Sequence, residues 1–248
     1  TIVCDLQQGT VEYVGDDRKQ ESLEAYFQLF TQEELEAIQA ISMDMWDPFI
    51  AATKASVPGA ESKIVFDKYH VMSSLNQATD EVRRQEHKEL QAQHNAVLKG
   101  TRHWWLYNPT NLPEFLRPAF QSLRQLDLKV SRAWAIKEHF RRFWDYRYEG
   151  WALKFFKPWY FWATHSRLEP IIKAARTIKD HLSNILTYLR HRITNAIPEA
   201  LNAQIEKVKR MAHGYRNREH YRTTIYFHCG GLDLYPRPVP TTSGGHPQ

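Results

Sequence analysis

The chain has 248 residues, 42% hydrophobic and 13% aromatic, which is apolar mass enough for a sizeable core and excludes an intrinsically disordered protein. No apolar run is long enough to span a bilayer, no stretch has the zones of a signal peptide, and the two cysteines, Cys4 and Cys229, match neither a disulfide framework nor a zinc site. The net charge of +5 conceals a division, since residues 1–70 carry 5 Lys or Arg against 13 Asp or Glu, whereas residues 71–248 carry 28 against 15.

In chain order, Thr1 to Leu6 and Thr10 to Val14 are β-rich runs joined by a short loop containing Gly9, the signature of a hairpin. From Glu21, Leu23, Tyr26, Phe27 and Phe30 recur at helical spacing, and Thr31 with Glu34 forms the N-terminal box of a second short helix. A strand over Ala37–Met43 is predicted to end on Asp44. Asp47 and Pro48 then read as the N-cap and first turn of a helix that stops near Pro58 and Gly59, and a strand over Lys63–Phe66 ends on Asp67. Two neighbouring strands that each end on a carboxylate are a plausible start of a metal site, because functional groups of open α/β sheets gather at the carboxyl ends of strands.

From Val71 the character is almost wholly α. One long helix is predicted over Val71–Leu98, ended by Gly100, followed by helical patterns over Glu114–Leu126, Val130–Tyr146, the residues after Gly150, and Arg167–Arg192. Between Trp134 and Trp162 stand thirteen aromatics. Packing among the helices is the preferred account of them, with stacking on unpaired bases as the functional one. Beyond Thr194 and Asn195 a helix is predicted from about Pro198, with Ile197, Leu201, Ile205 and Val208 as its apolar stripe and Glu199, Asn202 and Glu206 on another face. Glu199 in a first turn suits the helix dipole and also suits a metal. Lys207, Lys209, Arg210, Arg216, Arg218 and Arg222 cluster around Gly214, and the Pro- and Gly-rich tail from Gly230 reads as disordered. A basic region serving an acidic one is what a metal-dependent enzyme of nucleic acid needs, although ordinary solvated helix faces account for the same charges.

The strings SMDMW, IVFDKYHV followed by LNQATDEVRRQE, LKGTRHWWL, and ITNAIPEALNAQIEKVKRMAHGYRN, in that order and up to about residue 227, resemble the DDE transposases of bacterial insertion sequences, in the ISL-three group. The resemblance implies an α/β, RNase H-like mixed sheet with a large all-α insertion between the last strand and the helix that bears the Glu. On that implication residues 1–70 form the sheet core, 71–192 the helical region and insertion, and 193–229 the C-terminal helices of the core, with 230–248 as the tail. By correspondence Asp44 matches the second Asp of the triad and Glu199 the Glu, both as metal ligands, while Asp67 and His70 match a flanking signature beside the site. The family's first catalytic Asp precedes a hairpin of this kind, and the chain starts with Thr1 inside a strand. A fragment is therefore expected, lacking its first strand and catalytically incomplete by itself, and Asp5 is no substitute.

The implied chemistry is metal-dependent DNA strand cleavage and strand transfer, with two Mg²⁺ (or Mn²⁺) ions held by Asp44, Glu199 and the missing Asp. His70 would contact the scissile phosphate or orient a water, or else make a structural hydrogen bond, and Asp67 serves equally as a cap for the following helix. The basic cluster from Lys207 to Arg222 would grip DNA at transposon ends and target through the backbone. A homodimer or larger assembly on DNA, no membrane partner, and a cytoplasmic, nucleoid-associated location complete the expectation. A non-catalytic DNA-binding remnant and an RNase H-like nuclease are the competing readings.

Overall fold

A computed structural model of the chain describes residues 1–193 and 196–232. The backbone divides into two compact units, one made of Thr1–Tyr26 with the C-terminal residues from Thr194, the other of Phe27–Ile193. Strand β1 (Ile2–Asp5) and strand β2 (Thr10–Val14) pair antiparallel with a bulge at Val3/Cys4. Asp5 Oδ1 accepts from the backbone N–H of Gln7 at 2.6 Å and of Gln8 at 3.0 Å, so its carboxylate closes the hairpin turn. Helix α1 (Gln20–Phe27) follows.

The larger unit begins with α2 (Gln32–Ala37), held by the reciprocal Thr31–Glu34 box. That box carries the helix through Ala37, so the strand predicted from Ala37 is shorter: β3 comprises Ile41–Met43. Helix α3 (Asp47–Ser56) starts behind Trp46, with Asp47 and Pro48 as its first two residues, which corrects the cap by one position. After Gly59, at φ 67°, comes the single turn α4 (Ala60–Lys63) and then β4 (Ile64–Phe66). Strands β3 and β4 pair parallel with Met43 opposite Phe66. Every residue of β4 is buried, and Asn184 donates to the carbonyls of Glu61 at 2.9 Å and Ile64 at 3.4 Å.

All that follows β4 in this unit is helical or turn. Helix α5 spans Lys68–Ala92, earlier at both ends than the predicted Val71–Leu98. Asp67 caps it ahead of Lys68, and its far end turns at His94 in the left-handed region, φ 57°. Then come α6 (Arg102–Leu106), α7 (Arg117–Gln125), α8 (Lys129–Arg141), α9 (Glu149–Thr164), α10 (Glu169–Asp180) and α11 (Leu182–His191). Helix α5 packs on α8 and α10, and α9 packs on α8 and α10. Trp134, Phe140, Phe143, Trp144, Phe156 and Trp159 are buried in these helices, with Trp159 Nε1 donating to the Ile136 carbonyl at 3.0 Å. Packing thus accounts for much of the aromatic density.

The smaller unit resumes with α12 (Ala196–Met211) and α13 (Arg218–Cys229). Leu201 and Ile205 of α12 join Val11, Ile225 and Cys229 in one apolar cluster with Ile197 packed against it, as the predicted stripe requires. The Tyr226 hydroxyl accepts from the Val14 N–H at 3.0 Å and ties α13 to the hairpin. Burial pushes the Cys4 thiol beside this cluster up to about 11. The architecture is mixed α/β, mostly helical, with the two strand pairs in different units. Of the predicted tail, residues 233–248 lie outside the described residues, and no described helix is long and apolar enough to cross a membrane.

A candidate active site at Asp44 and His70

Because β3 and β4 run parallel and in register, the residues that follow them, Asp44 and Asp67, leave the same end of the strand pair. Their environments then diverge. Asp67 is 6% exposed and its Oδ2 accepts from the Tyr69 N–H at 3.0 Å, the bond of a helix N-cap. His70 is the third residue of α5, so this cap fixes the backbone from which its imidazole projects. His70 Nε2 lies 2.6 Å from Asp44 Oδ1, with the two side chains 36% and 42% exposed. An ionised carboxylate only accepts, so Nε2 carries the proton of this bond. Tyr69 stands edge-on to the imidazole, with ring centroids 5.6 Å apart.

Three of the four predicted active-site residues thus gather at one strand end, with the second aspartate working as a cap and the histidine as the partner of the first. Glu199 is the fourth residue of α12 and is exposed, as are Asn202 and Glu206. It belongs to the smaller unit, Asp44 to the larger. Among the described residues no three of His, Cys, Asp and Glu come together as a metal cluster. Asp44 supplies the hard, half-exposed carboxylate oxygens that a Mg²⁺ or Mn²⁺ ion takes, and His70 orients that carboxylate from one side, so the donor chemistry fits a hard divalent ion.

The basic residues separate in the same way. Lys207, Lys209, Arg210, Arg216 and Arg218 are exposed, with Lys209 3.9 Å from Glu206 and Arg210 Nε donating to the Glu206 carbonyl. Arg222 is held by Asp16 at 2.6 Å and by Glu219 at 3.3 Å, so its charge is already answered within the protein. Sequence reasoning missed a second charged centre on α5. Buried Asp80 lies 2.8 Å from Arg83, 3.2 Å from Arg102 and 3.8 Å from Arg84. Its signal was present in TDEVRR, where an aspartate precedes arginines at i+3 and i+4. Two further motif residues also hold the scaffold. Glu86 accepts from the first N–H groups of α8, and Thr101 accepts from Trp105 Nε1 at 3.2 Å.

The sequence that places an aspartate and a histidine at this strand end matches the DDE transposases. The chain belongs to that family: a transposase family model of the DDE, ISL-three type matches residues 1–225. It is 28% identical over 224 residues to the transposase for insertion sequence element IS1001 of Bordetella parapertussis, covering 89% of this chain and 55% of that protein. It is 23% identical over 240 residues to the transposase for insertion sequence element IS1557 of Mycobacterium tuberculosis, covering 88% and 53%. The chain therefore spans a little over half the length of these relatives. No solved structure matches it.

Proposed function

We propose that this chain is the catalytic region of an insertion-sequence transposase that cuts DNA strands and transfers them, with an RNase H-like core. The observation that carries the reading is the Asp44–His70 hydrogen bond at the carboxyl end of two paired parallel strands, in a chain whose family acts in transposition. By the family's correspondence, Asp44 and Glu199 would each be a ligand of a divalent ion, Mg²⁺ or Mn²⁺. When bound, such ions act as Lewis acids on the phosphate and lower the pKa of water.

The side chains present have separable tasks. His70 fixes the rotamer of Asp44 through Nε2–H, so the carboxylate is held in place before substrate arrives. Asp67 sets the first turn of α5 and thereby the position of His70. Lys207, Lys209, Arg210, Arg216 and Arg218 offer phosphate contacts that add affinity without reading sequence, whereas Arg222 contributes to the fold. The DNA is the element's own ends and its target, engaged by a homodimer or larger assembly.

The test is Mn²⁺-dependent nicking and strand transfer on transposon-end DNA by this chain in its natural full-length context. Asp44→Asn and Glu199→Gln each lower both activities by at least roughly a hundredfold, while circular dichroism and melting stay at wild type. Undiminished turnover in either variant refutes the assignment. Nicking that never proceeds to strand transfer identifies a nuclease, and binding without cleavage identifies a DNA-binding remnant. His70→Ala separates positioning from contact with substrate. A positioning histidine raises the metal concentration needed for half-maximal rate, whereas a substrate contact changes the KM for DNA.

A further inference from the structure

Helix α9 buries Ala152, Phe156, Trp159 and Ala163, spaced four, three and four residues apart as one face of a helix requires. The opposite face is not the polar surface that this pattern leads one to expect. Trp151 is 58% exposed, Phe161 62% and Trp162 41%, and Phe155 is half-buried between them. At 100° per residue, Trp151, Lys154, Phe155, Phe161, Trp162 and His165 fall within one third of the helix circumference. From Trp151 to Trp162 the stripe rises about 16 Å, or three helical turns.

The rings are interleaved with cations. Lys154 Nζ sits 4.4 Å from the centre of the Trp151 ring, the His165 ring stacks on Phe161 with centroids 3.9 Å apart, and Lys157 is exposed on the flank. The single acid of α9, Glu149, opens the helix just before Trp151 and is paired with Arg190. Flat rings with lysines and no unanswered carboxylate complement the two surfaces of an unpaired nucleic-acid strand, whose bases stack on aromatics and whose phosphates attract cations. A second copy of this face would set Lys154 and Lys157 against like charges. A bilayer-seeking face would mix leucine, isoleucine or valine among its rings, and this stripe carries only Pro158 beside its rings and cations.

We propose that the exposed face of α9 is a binding surface for unpaired bases of a DNA strand, engaged while that strand is separated from its complement. This inference rests on the reading that the chain acts on DNA, and it adds a substrate surface away from Asp44.

The experiment measures fluorescence anisotropy of the full chain with a labelled single strand of about 12 nucleotides, the duplex of the same sequence, and an abasic strand of the same length. Wild type binds the single strand more tightly than either comparator. Trp151→Ala and Trp162→Ala each weaken single-strand binding roughly tenfold, down toward the abasic value, and leave duplex binding unchanged. All the substituted rings are exposed, and circular dichroism verifies that the variants fold. Equal affinity for abasic and normal strands, or unchanged affinity in both variants, overturns the proposal. So does sedimentation showing that the two substitutions abolish self-association without altering strand binding. Phe115→Ala, an 80%-exposed ring outside this stripe, keeps wild-type affinity for the single strand, and binding is read without cleavage, so failure of the catalytic assignment and failure of this surface register separately.

Discussion

Glu86 offers a direct measure of what holds the helical region together. It lies on α5, is 5% exposed, and accepts from the N–H of Lys129 at 2.6 Å and of Val130 at 2.8 Å, which are the first two residues of α8. A helix start leaves such donors without intrahelical partners, and here a carboxylate from another helix supplies them and meets the positive end of the dipole. Each charge-assisted bond is worth about 1.5–3 kcal/mol, and Glu86→Ala strands two donors at once, so the loss is roughly 3–6 kcal/mol. Glu86→Gln keeps one accepting oxygen and loses about half of that. Glu89 contacts the same terminus through an exposed pair with Lys129 at 2.6 Å, and Glu89→Ala costs no more than about 0.5 kcal/mol. Urea unfolding followed by far-ultraviolet circular dichroism reads the difference, since at an m-value of about 2–3 kcal/mol/M Glu86→Ala lowers the midpoint by about 1–3 M. If Glu86→Ala and Glu89→Ala shift the midpoint equally, the buried cap is not what anchors α8.

Three further outcomes follow from other sites. Asp67→Asn preserves both the cap and strand cleavage, whereas Asp67→Ala lowers stability by about 1 kcal/mol; a large loss of turnover in the Asn variant with unchanged melting would move Asp67 from the scaffold to the chemistry. Cys4 has its thiol raised from 9.0 to about 11 by burial, so it stabilises the fold below pH 9 and loses that contribution as pH rises toward 11. Half-burial screens the effect to about 1–2 kcal/mol, and denaturation of Cys4→Ala between pH 8 and 11, taken as about the span of the shift, shows a flatter alkaline decline than wild type. Lys137 is buried and donates to the Trp105 carbonyl at 2.6 Å, with burial holding its ammonium below the ordinary lysine value against the pull of Glu138. Burial therefore works against the charge, and Lys137→Met is neutral or stabilising at pH 7 in urea titrations while Lys137→Ala is destabilising by about 2 kcal/mol or more.

The sequence made the Thr31–Glu34 box, the two aspartate-terminated strands and the buried stripe of α12 legible, because each rests on local spacing that the backbone must obey. Boundaries were less legible wherever a neighbour decided them. The helix predicted to reach Leu98 ends at Ala92, and the strand predicted from Ala37 gives way to a helix whose capping box is stronger than the β-propensity of three residues. Asp80 had a local signal in Arg83 and Arg84, whereas the roles of Glu86 and Lys137 depend on partners up to 44 residues away in the chain, so no local pattern could assign them. Aromatic density was visible, but its division into a buried and an exposed face on α9 needed the phase of the helix against α8 and α10.

The two aspartates show how equal positions acquire unequal chemistry. Met43 opposes Phe66, so Asp44 and Asp67 leave their strands at the same level, and symmetry alone would make them equivalent ligands. What separates them is the next turn of chain. Asp67 is followed at once by α5, whose N–H groups claim its carboxylate and bury it, whereas α3 begins only at Asp47 and leaves Asp44 half exposed. The same helix start that takes Asp67 out of reach then aims His70 at Asp44 Oδ1. An early helix after one strand and a late helix after the other therefore turn a symmetric pair of carboxylates into one supporting residue and one oriented, accessible carboxylate, and the histidine is the piece that couples them.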